Sequence, residues 1–496
     1  MDKTSAALHS RLIALRAQVV QGICPFEWFA LRAARLYISL GKGRRAIELL
    51  HTLQSSPHNH RQVPIIQTLS RMAHQSIKSR TEKTCALTMI VKNEEKNICR
   101  ALDSVDDSMD EIVVCDTGST DTTTDLIRLY GACVLRETWQ NNFSTPRNVA
   151  IAHSSCDWIF WMDGDDELDK KSKQALVQLW RTAHVQGVAF CVANIQNGIA
   201  GNEFMQTRLF PRRRDICFER RIHEQVVFSL VRAGLPLSRC QAIRILHYGY
   251  HSPALQQAKA ARNLPLIQAE LVENPVDPAL QASLGDCYAI LSDYPNALAA
   301  YGAIIDKPES SILHPDVYVQ AYINCARLYY KINNTIEAKR YWYRSLDLDK
   351  TRLESWYGIA HCLLREQKPV VALDCFFKCL AIDAPLRDTA TDCAAIIRQS
   401  YYYAVDILLQ QHCYRNARDL LDRALKRFPV VVEFYALMGD ALLGLGNNPV
   451  AKLFFLRSIA MSPDTNLRAY AGLERVRRLV GNPPQAAESC YTAAIA

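Results

Sequence analysis

A period of 34 residues in the C-terminal half is the feature that most restricts how this 496-residue chain can fold. Ala338 and Ala372 are 34 apart, and so are Ala417 and Ala451. A small residue returning at that distance within unbroken helical periodicity lets two helices approach closely once per unit. Companions return with it: Leu284, Gly285, Tyr288, Ala297 and Tyr301; Ala326, Tyr329, Ala338 and Trp342; Trp356, Ala360, Leu363, Ala372 and Phe376; Ala417, Leu421, Ala424 and Pro429; Gly439, Leu442, Ala451, Phe455 and Pro463. These predict five helical hairpins, with residues 467–494 as a worn last one and residues 28–50 as a further one near the start. Hairpins of this kind bury their apolar faces only on their neighbours, so the expectation is one all-α superhelix with a concave face.

The pattern changes between residues 84 and 244, where short apolar runs alternate with helical segments. The runs cover residues 85–91, 111–115, 132–136, 157–162 and 187–193. They are strand-length, rich in Val and Ile and apolar at successive positions, which suits strands covered on both faces. Residues 94–104 and 121–130 have helical spacing with Asp or Ser near their starts. The expectation is an α/β domain with a mostly parallel sheet.

With 49% hydrophobic and 22% charged residues, the chain is neither disordered nor fibrous. No apolar run is long enough to cross a bilayer, and residues 1–10 lack an apolar signal core, so the expected location is cytoplasmic. The 17 cysteines are scattered and many lie in apolar segments, as small hydrophobes do in a reducing compartment. Cys375 and Cys379 have no second pair or His cluster to make a zinc site, and read as packing. A net charge of +8 permits an anionic partner without selecting one.

Three segments carry chemistry. The apolar run Met89-Ile90-Val91 stops at Lys92-Asn93-Glu94-Glu95, and Val113-Val114-Cys115 stops at Asp116-Thr117-Gly118-Ser119-Thr120-Asp121. Ligands of open α/β sheets bind at such carboxyl ends, where Asp116 can accept from a ribose or a base while Ser119 and Asp121 cap a helix. The third segment, Trp158-Ile159-Phe160-Trp161-Met162, ends in Asp163-Gly164-Asp165-Asp166-Glu167. Carboxylates gathered behind so apolar a strand need a cation, and hard oxygen ligands at i and i+2 suit Mn²⁺ or Mg²⁺, which can hold a nucleotide diphosphate.

In this order the segments resemble glycosyltransferase family 2, whose nucleotide-sugar fold is called GT-A, and within it a subgroup with tetratricopeptide repeats behind the catalytic domain. The resemblance covers residues 84–262, leaving residues 1–80 as an N-terminal helical region and residues 263–496 as the repeats. Lys92 to Glu95 and Asp116 to Asp121 match the family's opening patterns, Ser144-Thr145-Pro146-Arg147-Asn148 its Ser-x-x-Arg-Asn, and Asp163-Gly164-Asp165 its Asp-Ala-Asp metal motif. Gly164 replaces the usual Ala and is expected to leave the nucleotide its room. The resemblance implies Asn93, Glu94 and Asp116 near the base and ribose, Arg147 near the phosphates, Asp163 near the ribose and Asp165 on the metal. Arg147 can pair with phosphate oxygens through two hydrogen bonds.

Arg208-Leu209-Phe210 and Phe218-Glu219-Arg220-Arg221-Ile222-His223-Glu224-Gln225-Val226 resemble the subgroup's acceptor side, and His247-Tyr248-Gly249-Tyr250 its closing segment. Displacement with inversion needs a base for the acceptor proton; Glu224 is favoured over His223, because inverting GT-A enzymes usually use a carboxylate, and His247 is the further metal ligand. This is not the zinc-protease pattern, since Val227 stands where a second His belongs. The leading expectation is sugar transfer from a nucleoside diphosphate donor, a UDP-sugar first, to a macromolecular acceptor (protein, glycan or DNA) contacted by the repeats, which also offer a route to oligomers. Two other readings stand beside it. In one, a phage-type enzyme modifies hydroxymethylated DNA, with Arg212, Arg213, Arg214, Arg220 and Arg221 as a phosphate rim. In the other, the chain is a repeat scaffold with a degenerate transferase domain.

Overall fold

The computed structural model describes residues 3–55, 62–78, 82–182, 184–196, 199–249, 253–306, 315–383, 387, 391–464 and 466–480. Tyr250 and most of the second half of the worn last repeat lie outside the described residues. The chain forms two compact units, Met1–Ala300 with Leu386–Ala390, and Tyr301–Pro385 with Thr391–Ala496.

The first unit is built on an eight-stranded mixed sheet: β1 (Cys85–Val91), β2 (Glu111–Asp116), β3 (Cys133–Arg136), β4 (Trp158–Trp161), β5 (Asp166–Leu168), β6 (Gly187–Gln196), β7 (Ile199–Pro211) and β8 (Leu237–His247). Their order is β3-β2-β1-β4-β7-β6-β8-β5. The β3-β2-β1-β4 block is parallel and β6 runs parallel to β8, while β7 is antiparallel to both β4 and β6, and β5 to β8. The expected strands are present, and the continuous apolar runs explain why: β2 and β4 are buried at every position and β1 at all but Ile90. Register places Val91 beside Asp116 and Thr88 beside Trp161, so β1, β2 and β4 all deliver their following loops to one edge. Helices α5 (Ile98–Val105), α6 (Thr123–Arg128), α7 (Ser144–His153), α8 (Lys173–Thr182) and α9 (Val227–Arg232) connect the strands.

The N-terminal helices α1 (Lys3–Val20), α2 (Phe26–Ser39), α3 (Gly43–Gln54) and α4 (Val63–Lys78) share one apolar core with the sheet. α2 and α3 are the expected early hairpin. Asp106, fully buried after α5, accepts from Arg16 Nη2 at 2.6 Å and from Arg45 Nη2, while Lys42 Nζ donates to its backbone carbonyl at 2.7 Å. A buried carboxylate needs such partners, and here three of them come from the N-terminal helices. Helices α10 (Pro253–Glu273) and α11 (Pro278–Ile290) also belong to this unit, so the compact division falls inside α12 (Tyr294–Ile305), not at residue 262.

The second unit contains α13 (Pro315–Lys331), α14 (Thr335–Leu348), α15 (Leu353–Arg365), α16 (Pro369–Ala381), α17 (Cys393–Gln410), α18 (Tyr414–Arg427), α19 (Val432–Gly444), α20 (Asn448–Met461) and α21 (Leu467–Val480). Each helix packs on the next, and alternate helices from α13 to α21 also meet. The period is visible in the backbone. Left-handed residues between paired helices recur 34 apart, at Asn333 and Gln367 and again at His412 and Gly446. The small residues mark close approaches: a Cβ at Gly358 would lie 2.2 Å from the Trp342 ring, and one at Gly439 would lie 2.4 Å from that of Phe455. Cys375 and Cys379 are buried in this unit's core. Among the described residues no helix is long and apolar enough to cross a membrane.

Candidate active site

The loops after β1 and β2 hold each other. Asn93, left-handed at φ +57°, donates its N–H to Ser119 Oγ at 2.9 Å and accepts the Thr120 N–H on Oδ1 at 2.8 Å. Asp116 folds its own turn, accepting the Ser119 N–H at 3.0 and 3.2 Å on its two oxygens, and Gly118 takes the positive φ of +106° that this turn requires. Asp121 accepts the N–H of Thr123, the first residue of the next helix, from just before its N-cap Thr122, whereas Ser119 serves the β1 loop instead. Asn93 and Asp116 thus frame the carboxyl edge of the sheet beside β1 and β2.

The loop after β4 lies next to them. A Cβ at Gly164 would stand 2.7 Å from Glu94 Cγ, so an alanine here would require the Glu94 side chain to shift. Burial raises the Glu94 pKa, the Asn97 amide at 2.9 Å lowers it, and the Asp165 charge raises it further.

Asp163 and Glu224 are joined through Arg147, which donates from Nη2 to Asp163 Oδ1 at 2.7 Å and from Nε to Glu224 Oε1 at 2.6 Å. Arg147 is only 6% exposed, lies 4.3 Å over the Trp161 ring, and has its Nη1 buried without a hydrogen-bond partner among the described residues. A buried donor left over in this way fits an anionic ligand oxygen. Burial acts to raise the Asp163 pKa, but the Arg147 and Arg208 guanidiniums override it and bring it down to about 2.

On the other side of the loop the sheet brings β8 against β5, with His247 directly opposite Asp166. Asp165, Asp166 and His247 offer ligand atoms all within 4.8 Å of one another. His247 Nδ1 lies 2.9 Å from Asp166 Oδ1 and 3.5 Å from Asp165 Oδ1. A Cβ at Gly249 would come within 2.5 Å of both Asp165 Oδ2 and His247 Nε2, so those two atoms converge where only glycine fits. Two carboxylates and an imidazole are a donor set that fits Mn²⁺. Burial and the Asp163 and Asp166 charges outweigh the His247 charge and hold the Asp165 pKa up. Burial opposes protonation of His247, yet the Asp166 hydrogen bond and the surrounding carboxylates keep its pKa above the ordinary value.

His223 is exposed beside Glu224, and desolvation lowers its pKa against the opposing Glu224 charge. The basic rim expected for DNA is largely occupied internally. Arg220 pairs with Asp277, Arg221 with Glu273 at 2.5 Å, Arg213 with Asp215 at 2.6 Å, and Arg212 Nε donates to the Cys156 carbonyl.

Three residues gained roles that sequence reasoning did not give them. Asp166, fully buried, accepts from Arg208 Nη1 at 2.9 Å and from the Asp163 N–H at 2.8 Å besides meeting His247. Arg208 and Trp161 stack at 3.7 Å on adjacent strands. The four-carboxylate run after β4 was the available signal for Asp166, whereas nothing in Arg208-Leu209-Phe210 pointed to a partner for Arg208.

A mostly parallel sheet with an acidic, histidine-backed loop at the carboxyl ends of its strands, followed by paired helices, defines an α/β domain joined to a helical repeat. The family models say the same: residues 87–233 match Glycosyl transferase family 2, and residues 403–465 match Tetratricopeptide repeat. The chain therefore carries a family 2 glycosyltransferase domain and tetratricopeptide repeats. It is 33% identical over 212 residues to a TPR repeat-containing protein of Synechococcus elongatus, covering 40% of this chain and 51% of that protein. It is 27% identical over 256 residues to the SPbeta prophage-derived glycosyltransferase SunS of Bacillus subtilis, covering 50% of this chain and 60% of SunS. The chain thus spans between half and two thirds of the length of these curated relatives. Among solved structures, YrrB, a TPR protein with an unusual peptide-binding site, aligns at 15% identity and a TM-score of 0.33, over 41% of this chain and 96% of its own.

Proposed function

We propose that the chain transfers a sugar, with inversion, from a nucleoside diphosphate donor to a hydroxyl of a macromolecular acceptor. The observation that carries this reading is the Arg147 bridge between Asp163 and Glu224, set beside the convergence of Asp165 with His247. Such a site can hold a diphosphate on one side and receive an acceptor on the other. Asn93, Glu94 and Asp116 frame the base and ribose, with a UDP-sugar the first candidate, and the buried Nη1 of Arg147 faces a phosphate oxygen. Asp165 and His247 would hold Mn²⁺ or Mg²⁺, which when bound neutralises charge on the leaving diphosphate. Glu224 takes the acceptor's proton as the hydroxyl attacks the anomeric carbon, with His223 the other candidate for that proton. The tetratricopeptide array contacts the acceptor.

The test is a hydrolysis and transfer screen with UDP-, GDP- and dTDP-sugars in Mn²⁺, with and without chelator. Turnover of one donor that stops on chelation is expected. No turnover of any donor by folded protein, together with no nucleotide binding, would favour the scaffold reading.

A further inference from the structure

Segment 220–224, which holds both candidate bases, has an uncommon backbone: Arg220 at φ +80° and His223 at φ +51° are both left-handed. Non-glycine residues stay in that region when their surroundings enforce it. One grip comes from α7. Ser144 Oγ donates to the Arg220 carbonyl at 2.6 Å, and the Phe143 N–H donates to the Arg221 carbonyl at 2.7 Å. The opposite grip comes from α10 and α11. Ile222, 3% exposed, enters an apolar cluster with Ala260, Leu266 and Ile267 of α10 and Cys287 of α11. The Arg221 N–H donates to Glu270 Oε2 at 3.0 Å, and Glu270 is itself only 6% exposed. Arg220 pairs with Asp277, whose other oxygen caps α11 by accepting the Ala279 N–H at 2.9 Å and the Leu280 N–H at 3.1 Å.

The two grips meet next to the chemistry. Glu224 follows the clamped residues directly and reaches Arg147, which lies on the same helix as Ser144. We infer that Glu270 and Asp277 are positioning residues of the transferase site: through Arg220 and Arg221 they fix where His223 and Glu224 stand relative to Arg147 and Asp163. Neither touches the reacting atoms. The inference rests on the proposed transfer reaction for the purpose of the segment, while the clamp is a physical claim that can be judged without it.

The experiment uses the full chain with Glu270→Ala, Glu270→Gln, Asp277→Ala and Asp277→Asn. Three quantities are read: amide hydrogen exchange of a peptide covering residues 219–226, calorimetric affinity for UDP in Mn²⁺, and turnover of the UDP-sugar most rapidly hydrolysed by the wild type. Loss of a carboxylate acceptor at a buried N–H is expected to raise local exchange by about 10-fold or more in Glu270→Ala. Turnover should fall by a similar factor, with UDP affinity unchanged. Glu270→Gln keeps an oxygen acceptor and should recover most of both; Asp277→Asn keeps the α11 cap and should be milder than Asp277→Ala. Unchanged exchange at 219–226, or raised exchange with full turnover, overturns the inference. So does a loss of turnover that glutamine fails to rescue and that tracks unfolding of the whole unit. If the wild type turns over no donor, the transfer reading fails, and the exchange of the Gln and Asn variants still decides the clamp.

Discussion

Asp166 Oδ1 and His247 Nδ1 stand 2.9 Å apart as direct partners across the β5–β8 ladder. The same nitrogen lies 3.5 Å from Asp165 Oδ1, so Asp166 holds the imidazole against Asp165, as a carboxylate beside a ligating histidine fixes its ring. The second oxygen of Asp166 accepts from Arg208 and from the Asp163 N–H, so one buried carboxylate ties the cation side of the loop to the Arg147 side. Asp166→Asn is expected to weaken Mn²⁺ binding by roughly 10- to 100-fold. It also leaves Arg208, 2% exposed, without its closest charge partner, at a cost of about 3–5 kcal/mol in stability. Calorimetry with Mn²⁺ and denaturant unfolding check the two parts separately; unchanged cation affinity would remove Asp166 from the metal's support.

Asp165 faces the same cluster with less structural duty, its side chain being 16% exposed. Asp165→Asn should therefore leave the melting transition nearly in place while turnover falls by about three orders of magnitude, the scale of losing a cation that stabilises a leaving diphosphate. Full activity in excess chelator or in this variant would take the metal out of the mechanism.

Glu224 is engaged by Arg147 through Oε1. If it accepts the acceptor's proton, Glu224→Gln should lower turnover by about two to four orders of magnitude and leave donor affinity nearly unchanged. Near-normal Glu224→Gln with inactive His223→Ala assigns the proton to His223. Activity in both variants places the base elsewhere.

The Asp106 network makes a pH prediction far from the site. Burial acts to raise this carboxyl's pKa, but the Arg45 and Arg16 guanidiniums hold it well below the ordinary carboxylate range. A carboxylate with a depressed folded pKa contributes stability that is complete above the unfolded value, about 4, and is lost as the pH falls further below it. Asp106→Asn should cost about 3–5 kcal/mol near neutrality, because it strands two buried guanidiniums. It should also flatten the fall in stability between about pH 4 and pH 2. Chemical denaturation across that range reads both effects, and an acid limb as steep as the wild type's would contradict the assignment.

What the sequence revealed, and what it hid, follows from how far apart the partners lie. β1, β2 and β4 were legible because nearly every position is buried and apolar, and the 34-residue spacing was legible because each repeat restates it. β5, with three residues, and β8, with Ile243 and Ile245 its two buried positions, carry too little continuous apolar signal. Asp163, Asp165 and His247 could be singled out by spacing and resemblance. Asp166 could not, since nothing in an acidic run tells which carboxylate turns inward until the sheet brings in His247 from 81 residues away. Arg220 and Arg221 could be read only as part of a phosphate rim for the same reason: their acids, Asp277 and Glu270, lie 57 and 49 residues further on.

The same distance changes where the chain should be cut to separate donor chemistry from acceptor recognition. The donor-side residues lie between Asn93 and Asp165, which suggests a boundary near residue 262, but that cut would remove Glu270 and Asp277. A fragment ending at residue 306, after α12, keeps nearly the whole first unit, including both. It is expected to bind UDP with Mn²⁺ and to hydrolyse donor slowly at the wild-type rate, while losing transfer to the physiological acceptor, because a stacked helical array offers a long surface suited to an extended chain. The fragment ending at residue 262 should bind UDP more nearly normally than it turns donor over. Nucleotide calorimetry beside hydrolysis and transfer assays distinguishes these outcomes. Full transfer by the folded 306-residue fragment would reduce the array to a scaffold, and equal hydrolysis by the two fragments would deny α10 and α11 any part in the site.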